Sequence, residues 1–284
     1  MLRRVLISVI FILAALAMFA GAAQADDFKI AIMQDKVGDA KKFHPLLDYL
    51  NSKEVHARFL TARNYPAAAN LFASGKVDAM FSGSGIAGSF IIKDLAYPVV
   101  RPLSKGGWST YWAVVLAPKG SAKFNNSSSY FKDKKVIFGS LASSGEIFFR
   151  SIPGSVSAAG AELKAPSHGS AIKTLGKGKA DVAIVKNRVW DRMKKEYPRL
   201  AKVGEDRGAN PDGTLIASRK SNTAVVAKVK EALLGLTSDS SALAMKAKNA
   251  LGILGYIETS ENDFKHTIEI LRAAGVDKDF NFKF

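Results

Sequence analysis

Two successive series of alternating strand and helix signals, parted by a polar stretch and closed by a return strand, constrain this chain more than any other feature. The first series opens with the apolar run FKIAIM (Phe28–Met33), which reads as a buried strand. Phe43, Leu46, Leu47 and Leu50 then recur at helical spacing, with Pro45 tolerable in a first turn. VHARFL (55–60) alternates like a strand, and Asn64 can cap a helix that begins with Tyr65 and Pro66 and ends near Gly75. Residues 77–81 read as the next strand. The apolar segment TYWAVVLAP (110–118) and the polar stretch KGSAKFNNSSSYFKDKK follow. The pattern then restarts with KKVIFG, helices from about Ser144 and over 170–175, the strand ADVAIV (180–185) and a helix over 189–195. DGTLIAS (212–218) is the last strand this pattern predicts, with helices from there to the end. Such alternation predicts an α/β chain with mostly parallel sheets. The simplest path leaves one lobe near Leu116, builds a second, and returns near Gly213. Lobe one is then 26–116 plus 213–284, and lobe two is 117–212.

The first 25 residues have the layout of a secretory signal: Arg3 and Arg4, an apolar run over 5–19, and small residues ending in Ala23-Gln24-Ala25. The run is about 15 residues, short of the ~20 that span a bilayer, so cleavage after Ala25 and a periplasmic location are expected. No cysteine occurs anywhere. That removes disulfides, thiolate metal sites and thiol nucleophiles together, leaving packing alone to hold the fold. Without Arg3 and Arg4, the 41 basic residues become 39 against 25 acidic ones. This surplus favours anionic partners. Nucleic acid fits poorly, because no basic run is interleaved with aromatics and no zinc-finger spacing occurs.

Three glycine- and hydroxyl-rich turns stand where a strand hands over to a helix, the position at which open α/β sheets bind ligands. Gly83-Ser84-Gly85-Ile86-Ala87-Gly88 fits G-x-G-x-x-G. It lacks the acidic partner of a dinucleotide site, since no Asp or Glu occurs between Asp94 and Asp133. Its backbone N–H groups and Ser84 remain able to face a small anion. Ser143-Ser144-Gly145-Glu146 brings hydroxyls and free N–H groups to a helix start, which suits a tetrahedral oxyanion and equally suits an ordinary serine cap. Ser167-His168-Gly169-Ser170 precedes another helix. Catalytic patterns are thin: Ser170 and Lys173 fit S-x-x-K without the partner motifs, no G-x-S-x-G or H-E-x-x-H occurs, and the four histidines are scattered. No cofactor motif is complete, so a binding protein and not an enzyme is expected.

Taken in order, HPLLDYL (44–50), NYPAAANLFASGKVDAMFSG (64–83), GGWSTYWAVVLAPKGS (106–121), FKDKKVIFGSLASSG (131–145) and SHGSAIKTLGKGKADVAIV (167–185) resemble the periplasmic phosphate, phosphite and phosphonate solute-binding proteins of ABC transporters. The resemblance implies a type II periplasmic-binding fold: two mixed sheets flanked by helices, joined by a two-strand hinge, with a small anion held between the lobes. It implies Tyr65, Ser143, Ser144 and His168 as donors to that anion, assisted by the backbone of Ser144 and Gly145. The chain departs from the family pattern at Ala87, where a tyrosine is usual, at Ala142, where a hydroxyl is usual, and at Lys186, where many members carry an acidic residue. Lys186 would repel an ammonium group, which turns the expectation from aminophosphonates toward an anion without an amine. The implied partners are a membrane permease or, alternatively, a sensor histidine kinase, served by a monomer.

Overall fold

The computed structural model describes residues 27–33, 38–139 and 142–281; the expected leader, residues 1–25, lies outside them. The first group of elements is β1 (Phe28–Met33), α1 (His44–Ser52), β2 (Ala57–Ala62), α2 (Tyr65–Ala73), β3 (Ala79–Ser82), α3 (Ser84–Ile92) and β4 (Ala96–Ser104). A two-residue strand, β5 (Thr110–Tyr111), leads to the second group. That group is β6 (Ala113–Pro118), β7 (Lys135–Phe138), α4 (Ser144–Ser151), α5 (Ser155–Ala158), β8 (Ala161–Lys164), α6 (His168–Gly176), β9 (Val182–Lys186), α7 (Asn187–Met193) and β10 (Leu200–Glu205). The two-residue β11 (Asn210–Pro211) leads back to β12 (Thr214–Ser218), α8 (Thr223–Gly235), α9 (Ala242–Leu251), β13 (Ile253–Glu258) and α10 (Lys265–Ala273).

These strands form two mixed sheets, ordered β13-β4-β12-β3-β1-β2 and β10-β6-β9-β7-β8, with β5 and β11 paired in a two-stranded link between them. Two mixed sheets are what the resemblance implied; the mostly parallel sheets expected from the alternation alone are corrected. β1 pairs parallel with β2 and β3, and β7 with β8 and β9, because βα crossovers return the chain in the same direction. β12 arrives from the other sheet and runs antiparallel to β3 and β4. β6 likewise runs antiparallel to β9. The change of sheet falls at β5, ahead of the Leu116 expected, because the continuous apolar run 110–118 contains both the link and β6. A further strand, β13, follows the one expected to be last. Glycines at 252 and 255 interrupt its pattern, and Gly252, with φ +68, ends α9 immediately before it.

Alternation along each strand gives both sheets two apolar faces. On the first sheet, Phe28, Ile30, Ala79, Leu215 and Ala217 pack with Leu46, Tyr49 and Leu50 of α1 and Val229 and Leu233 of α8. Their neighbours Ala31, Met80 and Ile216 face Phe72, Ile86, Phe90 and Leu271 from α2, α3 and α10. The second sheet repeats the arrangement, with Val136, Phe138 and Ile184 against Phe148 and Phe149 of α4, and Ile137, Ala183 and Val185 against Ile172 and Leu175 of α6. No described helix is long and apolar enough to cross a membrane.

Candidate functional site

The helices that follow β-strands at the facing ends of the two sheets begin around one cavity of about 190 Å³. Tyr65 starts α2, Gly83 precedes α3, Ser143 and Ser144 open α4, and Ser167 and His168 open α6; Tyr65, Ser143, Ser144 and His168 are the donors that the resemblance implied, while Gly83 and Ser167 were not among the expected site residues. Two of these helices belong to each sheet. Each N-terminus carries roughly half a positive charge together with N–H groups that have no intrahelical acceptor. Three starts are fixed by side-chain caps: Asn64 Oδ1 accepts from the Ala67 N–H at 2.9 Å, Ser143 Oγ from Glu146 at 3.3 Å, and Ser167 Oγ from Ser170 at 3.2 Å. The fourth is positioned by close packing. A Cβ at Gly85 would lie 2.1 Å from the Ala142 carbonyl oxygen, and one at Gly88 would lie 2.6 Å from Leu271, so the G-x-G-x-x-G spacing here lets α3 approach the serine loop and α10.

The serine loop is held from beneath. Ala142 adopts a left-handed φ of +50, unfavourable for a residue with a Cβ. Its N–H donates to Glu146 Oε2 at 3.2 Å, and that fully buried carboxylate also pairs with Lys164 at 3.0 Å and Arg150 at 3.4 Å. Ser144 Oγ is buried, at 3% residue exposure, and reaches no partner at hydrogen-bond geometry. An unpaired buried hydroxyl at a cavity wall is a group waiting for an acceptor. Gly145 is not among the lining residues; its Cα is pressed so closely to β9 that a Cβ would meet the Ile184 carbonyl oxygen at 2.0 Å.

His168 lies against Gly139, where a Cβ would come within 3.0 Å of Nδ1. The Lys186 N–H points at His168 Nδ1 at 3.4 Å. Burial, reinforced by the Lys186 charge and opposed by Asp212, lowers the imidazole pKa to about 4. The ring is therefore neutral near pH 7, and with Nδ1 accepting, its proton sits on Nε2 as a donor.

Lys186 faces the cavity, at the end of β9. Its Nζ pairs with Asp212 Oδ1 at 2.5 Å and lies 4.2 Å from the centre of the Tyr111 ring. Burial lowers the ammonium pKa and the Asp212 carboxylate opposes that shift. Arg188 takes the other oxygen, Asp212 Oδ2, at 2.6 Å, so two cations share one carboxylate and the wall keeps a positive excess. Tyr111, on the link strand β5, bonds Ser84 Oγ at 2.6 Å, and burial pushes its hydroxyl up to about 12 while the Ser84 hydroxyl acts the other way. Ser84 thus stands one contact behind the cavity, supporting Tyr111. Ala87 is packed inside the core.

Tyr111 and Asp212 escaped the sequence reading. Tyr111 was hidden in an apolar run that reads as plain strand, and Asp212 in the turn before one. The S-x-x-E spacing of Ser143 and Glu146 was a usable signal for Glu146, although the carboxylate reaches the Ala142 N–H instead of that of Ser143.

Over residues 30–264 the sequence matches the family described as ABC transporter, phosphonate, periplasmic substrate-binding protein. No curated protein sequence matches the chain. Its fold is similar to that of XAC2383 from Xanthomonas citri, solved with chloride and with ATP, at TM-score 0.72, with 17% and 16% identity and 87% of this chain and 96% of that chain covered. PhnD1 from Prochlorococcus marinus, solved in complex with methylphosphonate, superposes at TM-score 0.68 with 17% identity, over 87% of this chain and 98% of that chain. A binding protein component of an ABC phosphonate transporter from Pseudomonas aeruginosa follows at TM-score 0.67 and 15% identity, covering 87% and 86%. The family match spans most of the chain, and it rather than these low identities decides the assignment: the chain belongs to the periplasmic substrate-binding proteins of phosphonate ABC transporters.

Proposed function

We propose that this protein captures a phosphonate or a closely related phosphorus oxyanion without an amine, and delivers it to a membrane permease. The observation that carries the reading is the convergence of four helix N-termini on one cavity that also holds the unpartnered Ser144 hydroxyl. A tetrahedral anion accepts from many directions at once, which matches that arrangement of donors. Ser144 Oγ, the Nε2–H of His168, the Tyr65 hydroxyl and the first N–H groups of α4 and α6 are assigned as its donors. Lys186 supplies charge, and Ser143 shapes the loop.

Asp212, the one carboxylate among the described residues that line the cavity, is already engaged by Lys186 and Arg188 and is not free for the ammonium of an aminoalkylphosphonate. The solved methylphosphonate complex of PhnD1 concerns a ligand of the amine-free kind. The lobes follow the sheets, and the β5–β11 link is the hinge, so an anion touching helices of both lobes favours their closed arrangement.

Calorimetry on the mature chain with phosphate, phosphite, methylphosphonate, 2-aminoethylphosphonate and sulfate tests the reading. Saturable binding of methylphosphonate or phosphite, with 2-aminoethylphosphonate weaker, is the expected result. The absence of heat and of thermal shift with every oxyanion would remove it. Transport is separated from signalling by the membrane partner: association of the ligand-bound form with a permease supports delivery, and association with a sensor kinase replaces it.

A further inference from the structure

The oxyanion cavity adjoins a larger one, of about 360 Å³, and the two share Met33, Tyr65, Asp212 and Gly213 as common wall. Across that wall the annex is lined by the rings of Phe43, Phe81, Trp108 and Tyr256, with the cations Lys42 and Arg188 among them. Phe81 stands at the centre of an aromatic row, 5.6 Å from the Phe43 ring and 6.0 Å from that of Tyr256. Trp108 is the exposed member of this lining. It is 57% exposed, the most exposed of the large hydrophobic side chains described, yet its backbone is fixed: its N–H donates to Ser104 Oγ at 3.0 Å and its carbonyl accepts from the Ser104 N–H at 2.9 Å. A pinned turn that leaves an indole exposed at the wall of an aromatic-lined hollow, with its Cδ1–Nε1 edge beside Gly106, adds little to stability and suits gripping a flat group.

We propose that this annex is a second subsite of the cleft and takes an aromatic substituent carried by the oxyanion, so that the preferred ligand class is an aryl- or arylalkyl-phosphonate or the corresponding phosphate monoester. The inference rests on the oxyanion reading above, because the shared wall places the annex within reach of a group bonded to an anion held at Ser144 and His168. The volume is ample: a dry cavity of ~150 Å³ accommodates benzene, and the annex is more than twice that. Burying a phenyl-sized group is worth about ten- to a hundredfold in affinity.

The test compares methylphosphonate, benzylphosphonate and methylenediphosphonate by calorimetry on the mature chain and on its Trp108→Ala and Phe81→Leu variants. Trp108 is largely exposed, and Phe81→Leu keeps most of the apolar volume, so at least one variant keeps the fold; melting curves check this. Benzylphosphonate is expected to bind at least tenfold more tightly than methylphosphonate. Either substitution should erase most of that advantage while methylphosphonate affinity stays within about twofold. Equal affinity of the methyl and benzyl ligands, or an advantage that survives both substitutions, overturns the subsite and leaves the oxyanion reading standing. Preference for methylenediphosphonate over benzylphosphonate also overturns it, by giving the annex to a second anionic group. If none of the three ligands binds, the oxyanion reading and the subsite fall together.

Discussion

Replacement of Ser144 by alanine separates a ligand-binding hydroxyl from a structural one. The Ser144 side chain is almost fully buried, has the Tyr111 hydroxyl nearby but no partner at full hydrogen-bond geometry, and stands at the start of α4 on the cavity wall. When an oxyanion enters, the hydroxyl gains a charged acceptor, a bond worth about 1.5–3 kcal/mol, or roughly ten- to a hundredfold in Kd. The ligand-free fold loses at most a weak contact to the Tyr111 hydroxyl in the substitution. It is relieved of a polar group whose burial costs about 1 kcal/mol or more, less whatever cavity water restores. In a chain of this size 1 kcal/mol corresponds to about 2–4 °C in Tm. Calorimetry with methylphosphonate should therefore show the weaker binding, and thermal denaturation without ligand a Tm unchanged or raised by at most a few degrees. The opposite pair of results, unchanged Kd with a lowered ligand-free Tm, would show that the hydroxyl serves the fold and would refute the reasoning.

Reversing the charge with Lys186→Asp sets a carboxylate beside Asp212 and in front of the anion, and methylphosphonate affinity measured by calorimetry should drop at least tenfold. Gly145→Ala places a methyl 2.0 Å from the Ile184 carbonyl oxygen, an overpacking that costs about 1–3 kcal/mol and should lower the ligand-free Tm by several degrees. The two perturbed histidines give opposite pH slopes. The folded pKa of His168, about 4, lies below its ordinary 6.5, so the unfolded chain binds the extra proton between those values and stability falls as pH drops through that window. His266 bonds Asp206 at 2.9 Å, and that hydrogen bond raises its pKa. Its contribution is fully present below pH 6.5 and is lost as pH rises through the raised value. In melting temperatures recorded from pH 4 to 9, His168→Gln should flatten the acidic limb and His266→Gln the neutral one; the same limb flattened by both would contradict the assignment.

The fold was legible where one residue type had one job. Apolar runs such as FKIAIM and ADVAIV are largely buried and read as strands without their partners, and Asn64 and Ser143 cap the helices that their position before a helix suggested, while Ser167 caps one that starts at His168, ahead of the expected Ser170. Direction was not legible. Whether a strand runs parallel depends on the path by which the chain arrives, and β12 carries no local mark of having come from the other sheet. The site divides along the same line. Hydroxyls and a histidine at helix starts announce themselves through turn chemistry. Tyr111, Asp212 and Lys186 act through contacts between segments far apart in sequence, and nothing in the sequence near Lys186 reveals that its amine turns inward to a carboxylate 26 positions on. The glycines of the 83–88 loop illustrate the converse. Their spacing suggests a phosphate cradle, while Gly85 and Gly88 are small because the serine loop and α10 press against them.

A crystal structure of the mature chain with methylphosphonate tests the central claim most directly. The account requires the three phosphonate oxygens to lie in the cavity between the sheets, within hydrogen-bond distance of Ser144 Oγ, His168 Nε2 and the first N–H groups of α4. A phosphonate seated elsewhere, or one in the cavity that leaves Ser144 and His168 without contact, would contradict it.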